Sequence, residues 1–130
     1  MTRKTFITFV LAFLLNLIWE HLHSVLYVSY RGEAITTIIL FRAALFDAVV
    51  ITLFYFFFSQ LPEHLHKTWF LPLVLTVFAV GLEEWALATG RWVYTGAMPI
   101  IPLLGVGLTP TIQLGLLGYI SIRISERFRN

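Results

Sequence analysis

Long apolar stretches separated by short polar segments run through the whole chain. Three stretches of 15 residues and a fourth of 31 residues carry no charged side chain: 5–19, 48–62, 68–82 and 92–122. The first three continue as helix-compatible sequence beyond a charge, so each reaches the roughly 20 residues that a helix needs to cross ~30 Å of hydrocarbon. The pattern predicts four membrane-spanning helices, at about 6–28, 38–58, 69–89 and 103–124.

The composition agrees with this pattern. Hydrophobic residues make up 58% of the 130 residues, charged residues make up 12%, and the mean hydropathy is +0.84. A soluble domain carries about 25% charged residues. The loops between the predicted spans are short and contain no hydrophilic domain. We therefore expect an all-α integral membrane protein in which residues 1–130 form a single four-helix transmembrane domain.

The residue content excludes cysteine-dependent sites and argues against nucleic-acid binding. The chain has no cysteine, which excludes disulfides, thiolate metal sites and a cysteine nucleophile. The sequence pI of about 9.2 comes from basic flanks. The basic residues do not form the aromatic, basic surface that is typical of nucleic-acid binding, so we expect no nucleic-acid partner.

The distribution of the nine Lys and Arg residues predicts the orientation. If all four spans cross, the termini and the middle loop share one side and hold six of them: Arg3, Lys4, Lys67, Arg123, Arg127 and Arg129. The opposite side holds three: Arg31, Arg42 and Arg91. Because cytoplasmic loops are enriched in Lys and Arg, both termini are expected in the cytoplasm.

The first span is strongly polar only in its outer half. Asn16, Glu20, His23 and Tyr27 follow the spacing of a single helical stripe, and Trp19 flanks that stripe. Trp19 and Tyr27 are also consistent with the aromatic belt at a membrane interface. Glu20 could be held structurally by its neighbours, but ionisable groups inside membranes are usually functional.

The second and third spans add further charged residues. Arg42 and Asp47 point about 140° apart on a helix, so each is expected to meet a partner on another helix. Glu83 and Glu84 point about 100° apart, so one can face the interior while the other pairs with Arg91 or meets lipid headgroups. We expect Glu84 to be the inward-facing carboxylate.

The segment before the fourth span is rich in helix breakers. Residues 95–110 contain three prolines and three glycines, which disfavour a continuous helix. Thr109 and Pro110 are suited to the N-cap and the first position of a helix that has Gln113 in its first turn. This predicts a break before or within the fourth span. The alternatives are an interfacial loop folded over the bundle and an unbroken helix from near Pro102.

Estimated depths bring the polar side chains to one level. At a rise of 1.5 Å per residue, Glu20 and Glu83 lie about 9 Å below the outer surface, and Asp47 and Gln113 lie about 13 to 15 Å below it. Isolated charges at these depths are costly, whereas clustered ones compensate one another. The sequence therefore predicts a polar cavity in the outer half of the bundle.

Two segments carry a resemblance to known families. Asn16-x-x-Trp19-Glu20-x-x-His23 and Glu84-Trp85 with Gly90-Arg91-Trp92-x-Tyr94 resemble an uncharacterised family of small bacterial four-span membrane proteins. That resemblance implies a location in the bacterial inner (cytoplasmic) membrane and no particular activity. A weaker likeness is to membrane carotenoid-modifying enzymes such as the lycopene cyclases, which also place an acid shortly before a Trp-x-Tyr pair. Their proline-glutamate elements are absent here, which argues against cyclisation itself.

These observations lead to one principal hypothesis. A cavity with apolar walls and a few convergent polar groups suits a lipid or isoprenoid-like ligand, which the protein binds or modifies by acid–base chemistry. The candidate catalytic residues are Glu20, Glu84, Asp47 and His23. The candidate ligand-binding residues are Asn16, Trp19, Arg42, Glu83, Trp85, Arg91, Trp92, Tyr94 and Gln113.

Three alternatives stay open at this point. The first is a proton- or ion-coupled transporter, which with only four spans would have to work as a homo-oligomer. The second is a metal-binding membrane protein with Glu20, His23, Asp47 and Glu84 as ligands, a donor set that suits iron or manganese. The third is a scaffold subunit without chemistry.

Overall fold

The computed structural model describes residues 2–128, and this part of the chain is mainly helical. The four α-helices are α1 (Arg3–His23), α2 (Thr37–Ser59), α3 (Phe70–Ala88) and α4 (Leu108–Ser125). Two short strands complete the regular structure, β1 (Tyr27–Tyr30) and β2 (Trp92–Tyr94). Single 3₁₀ turns cover Ser24–Leu26 and Glu63–Leu65. The expectation of an essentially helical protein is confirmed, and the strand pair is an addition to it.

The starts of α1 and α2 follow from threonine caps. The Thr2 side chain accepts a hydrogen bond from the Thr5 amide at 3.1 Å, and the Thr36 side chain accepts one from the Ile39 amide at 3.3 Å. Such caps satisfy backbone donors that a helix start leaves without partners. The observed bounds of α2 and α3 differ by one residue from the predicted ones. The first span was predicted to continue to residue 28, but α1 ends at His23 and the chain becomes a strand at Tyr27.

Three helices, rather than the four predicted, are long and apolar enough to cross a membrane by length and composition. They are α1 with its following 3₁₀ turn, α2 and α3. The fourth helix differs because it is packed inside its own chain. Ten of its 18 residues are buried, compared with five in each of the other three helices. Helix α4 is therefore the central element of the bundle.

The helices pack as two pairs joined through α4. Helix α1 runs along α2 and α4, and α3 runs along α4, whereas α2 touches α3 only in part. The core contains Ile51, Leu75 and Leu114 from three different helices. The Thr8 hydroxyl donates to the Ser125 hydroxyl oxygen at 2.8 Å. This bond holds the start of α1 beside the end of α4, at what we call the terminal end of the bundle.

The two strands form an antiparallel ribbon at the opposite end, which we call the ribbon end. Tyr27 lies opposite Tyr94, and Tyr30 lies opposite Trp92. The Tyr27 ring lies 5.4 Å from the Tyr94 ring and 6.3 Å from the Trp92 ring. The ribbon ties the chain after α1 to the chain after α3 and orients these aromatic side chains over the end of the bundle.

Residues 95–107 contain no helix, so the predicted break lies before the fourth helix. Ile100 bridges Gly107, and Gly105 has a φ of 70°, a left-handed conformation that favours glycine. Helix α4 begins at Leu108 with Gly107 at its N-cap. An unbroken helix from Pro102 is therefore wrong, and so is the assignment of Thr109 as the N-cap. Pro110 still lies in the first turn, where its missing N–H is not needed.

Candidate functional site

The side-chain amide of Gln113 is the centre of the buried polar cluster. Gln113 lies in the second turn of α4 and is 4% exposed. Its Nε2 atom is 2.8 Å from Asn16 Oδ1, 2.9 Å from Glu20 Oε1 and 2.9 Å from Asp47 Oδ2. One amide thus connects α4 to α1 and α2 at a single level. The three partners come from the helix faces that the sequence spacing had predicted to face inward.

Glu20 and Asp47 form a carboxyl pair around this amide. An amide –NH₂ has two hydrogens and cannot fully satisfy three oxygen acceptors. One oxygen of each carboxyl group lies 2.9 Å from the same Gln113 nitrogen, so the two groups are close neighbours. Two adjacent negative charges repel each other, and a proton on one of the two groups removes that repulsion. The geometry therefore suits a pair that holds one proton between its members.

His23 continues the network towards the start of α4. Its Nε2 atom lies 3.2 Å from Glu20 Oε2, and its Nδ1 atom lies 3.0 Å from the hydroxyl oxygen of Thr109. His23 is 6% exposed. Each ring nitrogen of a histidine donates or accepts according to its protonation. The ring therefore provides a hydrogen-bonded path for a proton between Glu20 and the Thr109 hydroxyl. The Thr109 side chain therefore bonds to His23 and does not cap α4.

Glu83 is a second buried carboxylate with aromatic partners. The Trp92 indole donates to its Oε2 atom at 3.0 Å, and the Tyr94 hydroxyl donates to the same oxygen. The Gly107 amide donates to the Tyr94 hydroxyl at 3.0 Å. Burial and the hydrogen bond to Glu83 raise the pKa of the Tyr94 hydroxyl, so it stays a donor at neutral pH. These bonds fix α3, the ribbon and the start of α4 relative to one another.

A cavity of about 430 Å³ lies beside the carboxyl groups. This volume is within the range of small-molecule sites, which is about 300–1,000 Å³. Glu20, Asp47 and Glu83 all contribute to its wall. Apolar side chains from α2, α3 and α4 supply much of the rest: Ile39, Ala43, Phe46, Ala79, Leu82 and Leu114.

The cavity occupies the seam between α2 and α3. The seam is closed towards the terminal end, where the rings of Phe54 and Phe78 lie 5.4 Å apart and those of Phe58 and Phe70 lie 6.0 Å apart. Nearer the ribbon end, Phe46 lines the cavity and is 47% exposed, so the wall there borders the outside of the bundle. The shape allows a molecule to enter sideways between the two helices.

The structure brings together most of the residues that the sequence singled out. Eight take part in the two hydrogen-bonded networks, around Gln113 and around Glu83: Asn16, Glu20, His23, Asp47, Glu83, Trp92, Tyr94 and Gln113. Three more line the cavity without joining these bonds: Arg42, Trp85 and Arg91. Polar side chains from α1, α2, α3 and α4 therefore line one cavity in the described part of the chain.

Two predicted residues lie elsewhere. Glu84 is exposed and does not line the cavity, so its assignment as the inward-facing carboxylate is wrong. The neighbouring Glu83 takes that place because adjacent residues point about 100° apart on a helix. Trp19 packs near His23, with the two rings 6.2 Å apart, and its buried indole nitrogen has no hydrogen-bond partner in the described part of the chain. It does not reach the cavity wall.

Two residues of the site were not predicted in these roles. Tyr27 lines the cavity, whereas its aromatic character had also suggested the membrane interface. Its place on the stripe with Asn16 and Glu20 was the signal for the inward position. Thr109 binds His23, and no local pattern indicates this because the partner lies 86 residues away in sequence.

A metal centre has no support in the geometry. Among residues 2–128, no group of three or more His, Asp or Glu side chains is arranged to hold a metal ion. The ligand set that included Glu84 does not assemble, because Glu84 lies on another face of α3.

Comparison with known proteins finds no matching family model, no matching curated protein and no matching solved structure. The interpretation of the site therefore depends on its own chemistry.

Proposed function

We propose that this chain is an integral membrane protein that binds a lipid or isoprenoid-like molecule in the α2–α3 cavity and modifies it by acid–base chemistry. The observation that carries the proposal is a largely apolar cavity whose wall includes the neighbouring carboxyl groups of Glu20 and Asp47, both held by the Gln113 amide. Ligands of this class need apolar walls and a few convergent polar groups.

The surface of the bundle supports a membrane setting. Large apolar side chains point outward along each long helix, with Ile18, Phe57 and Val77 59%, 64% and 65% exposed. Water-soluble monomers rarely expose such continuous apolar surface, whereas lipid tails accept it. In this setting α4 crosses together with α1–α3, shielded by them. The ribbon end then faces the outside, and both termini face the cytoplasm.

The chemistry follows from the positions of the acids. In the proposed step, the Glu20–Asp47 pair gives its proton to an alkene carbon, which breaks the C=C π bond and leaves a carbocation, or to a leaving oxygen, which departs with that proton as its C–O bond breaks. The negative charge left on the pair is stabilised by the Gln113 amide. A cation that develops on the ligand would lie among the electron-rich faces of Trp85 and Trp92. Glu83 supplies a further carboxylate for charge stabilisation or proton removal.

The transporter alternative has less support. In the half of the bundle near the terminal end, the buried polar side chains are hydroxyls such as Thr8, Ser121 and Ser125. They bond to one another or to helix carbonyl oxygens. A coupled transporter needs a polar route through both halves of the membrane.

The test is to identify what the purified protein carries. We expect mass spectrometry of the detergent-purified protein to find a co-purified lipid or isoprenoid. Ala43→Phe, which places a ring in the cavity without removing a polar group, should reduce that lipid about tenfold, equivalent to ~1.4 kcal/mol of binding. Ala88→Phe, at an exposed position outside the cavity, is the matched control.

A second comparison separates binding from modification. Asp47→Asn keeps the shape of the side chain and removes an acid, so it should retain the ligand in an unmodified form. That form differs from the wild-type product in mass or, for a double-bond isomer, in chromatographic retention. Equal lipid content in the wild type and Ala43→Phe would refute the cavity as the binding site. An identical ligand in the wild type and Asp47→Asn would refute the acid–base step.

A further inference from the structure

Two arginines contribute positive charge to the cavity wall. Arg42 on α2 and Arg91, directly before β2, both line the cavity. Neither forms an ion pair with a carboxylate anywhere in residues 2–128. The Cζ atom of Arg91 lies over the ring of Trp85, 4.7 Å from the ring centre. The N–H groups of Arg91 point along the plane of the guanidinium and stay available to a ligand.

The acids of the cavity are held by other partners. Glu83 accepts hydrogen bonds from Trp92 and Tyr94, and Glu20 and Asp47 accept hydrogen bonds from Gln113. Arg42 is exposed and Arg91 is half-buried, and both line the cavity, so each can reach an anionic group at the cavity mouth. Neither guanidinium is committed to an ion pair with these acids, so both can bind an anionic ligand group.

We propose that the cavity takes a phosphorylated single-chain amphiphile, such as an isoprenoid phosphate, with the phosphate held by Arg42 and Arg91 and the chain lying in the α2–α3 seam. This rests on the proposed function and specifies its ligand class. Guanidinium groups bind phosphate oxygens through paired, charge-assisted hydrogen bonds. A cavity of about 430 Å³ suits part of one chain better than a complete two-chain lipid.

The positions along α2 also indicate which part of the ligand meets the acids. Arg42 precedes Asp47 by five residues and is about 7 Å nearer the ribbon end. A phosphate at Arg42 is thus too far from the Glu20–Asp47 pair for direct proton transfer. The pair instead meets a group several bonds along the chain, so the phosphate serves as an anchor and stays on the ligand.

Binding of three probes to the full chain in phosphatidylcholine nanodiscs tests this. The probes are radiolabelled farnesyl phosphate, farnesol and inorganic phosphate. We expect the wild type to bind farnesyl phosphate at least about tenfold more tightly than farnesol, since charged hydrogen bonds contribute at least this much. Inorganic phosphate alone should bind far more weakly than either. Empty nanodiscs correct for partition into the lipid.

Substitutions of the two arginines test whether they cause the tighter binding of farnesyl phosphate. Arg42→Gln and Arg91→Gln should each weaken farnesyl phosphate binding about tenfold and leave farnesol binding unchanged, which also shows that they are folded. Arg123→Gln, at the terminal end and paired with Glu126, is the control and should bind all probes like the wild type. If Arg42→Gln loses farnesol as well, Arg42→Lys replaces it and should retain farnesol while binding farnesyl phosphate more weakly.

The outcomes distinguish this inference from the proposed function. Equal affinity of the wild type for farnesyl phosphate and farnesol would overturn the anion site and leave the lipid cavity standing. If inorganic phosphate binds as tightly as farnesyl phosphate, the apolar chain contributes nothing to binding. The proposed amphiphilic ligand would then be wrong, and the arginines would form a site for free anions. Wild-type affinity for farnesyl phosphate in both the Arg42 and Arg91 variants would overturn the assignment. Binding of neither farnesyl compound would overturn both proposals.

Discussion

Glu83 and Glu84 are adjacent in sequence and have different environments. Glu83 is 5% exposed and accepts hydrogen bonds from Trp92 and Tyr94, whereas Glu84 is exposed at the surface of α3. The difference comes entirely from the rotation of α3 about its axis. The same substitution at the two positions should therefore change the free energy of unfolding by different amounts, although both residues are glutamate.

The two glutamates provide a matched pair of substitutions. Glu83→Ala removes the acceptor of two partly buried donors, so it should reduce the free energy of unfolding by up to about 1–3 kcal/mol for each donor left unsatisfied. Glu84→Ala should change it by no more than about 0.5 kcal/mol. Unfolding of both variants by SDS titration in detergent micelles measures the difference. A larger loss in Glu84→Ala would mean that α3 is rotated from the orientation described.

At the scale of residues, the sequence identifies the members of the site better than their contacts. The stripe of Asn16, Glu20 and His23 is predictable because helical spacing alone places the three on one face. The bonds of Gln113 to Glu20 and Asp47 are not predictable from the same spacing. They depend on the axial position and rotation of α4, which packing against two other helices determines.

Close approach of α3 and α4 depends on glycine. A Cβ added at Gly115 would lie 2.8 Å from the Pro72 carbonyl oxygen and would also meet the Thr76 hydroxyl. At Gly118 it would lie 2.7 Å from a methyl carbon of Leu75. Backbone atoms such as the Pro72 carbonyl oxygen cannot move aside as a flexible side chain can. The contact therefore sets the distance between the two helices, and with it the position of Gln113.

Gly115→Ala should consequently destabilise the bundle. Inserting a methyl group into a packed contact costs about 1–3 kcal/mol, and the displacement of α4 should also weaken the Gln113 bonds. Gly81→Ala on α3 is the control, since a Cβ there meets nothing within 4 Å and alanine is the better helix former. Thermal unfolding followed by circular dichroism should give a lower midpoint for Gly115→Ala and an equal or higher midpoint for Gly81→Ala. The reverse order would contradict the tight contact.

At the scale of elements, the long helices were predictable and the connections were not. Uninterrupted apolar runs predict α2 and α3 to within one residue, because length and hydropathy suffice. The ribbon of β1 and β2 was missed because each strand has only three or four residues and pairs with a partner about 65 positions away. The break at 95–107 was predictable from its prolines and glycines.

The whole molecule owes its architecture to the burial of a helix that composition alone does not identify as a membrane span. Helix α4 contains Gln113 and Arg123 and is not apolar enough to count as a span by composition. The other three helices cover it, and the polar groups of their inward faces meet its own. The sequence suggests four crossings from the run of 31 uncharged residues, but composition alone cannot show that the fourth helix packs inside the other three.

The number of crossings is the property that the bundle geometry constrains most directly. Because Thr8 bonds to Ser125, the start of α1 and the end of α4 lie at the same end of the bundle. If α1 crosses the membrane, α4 must return to the side from which α1 began. A three-span arrangement, which composition alone favours, would instead leave the C-terminus on the outer side and break that bond.

Single cysteines decide between these arrangements, and the natural chain has none to interfere. Leu65→Cys, Gly96→Cys and Phe128→Cys place uncharged, exposed reporters between α2 and α3, after β2 and after α4. In intact cells, a membrane-impermeant maleimide should label only position 96, and after permeabilisation it should label all three. Labelling of position 128 from outside, with position 65 protected, would establish three crossings. Helix α4 would then lie outside the bundle interior, and the contacts of Gln113 with Asn16, Glu20 and Asp47 could not form in the membrane.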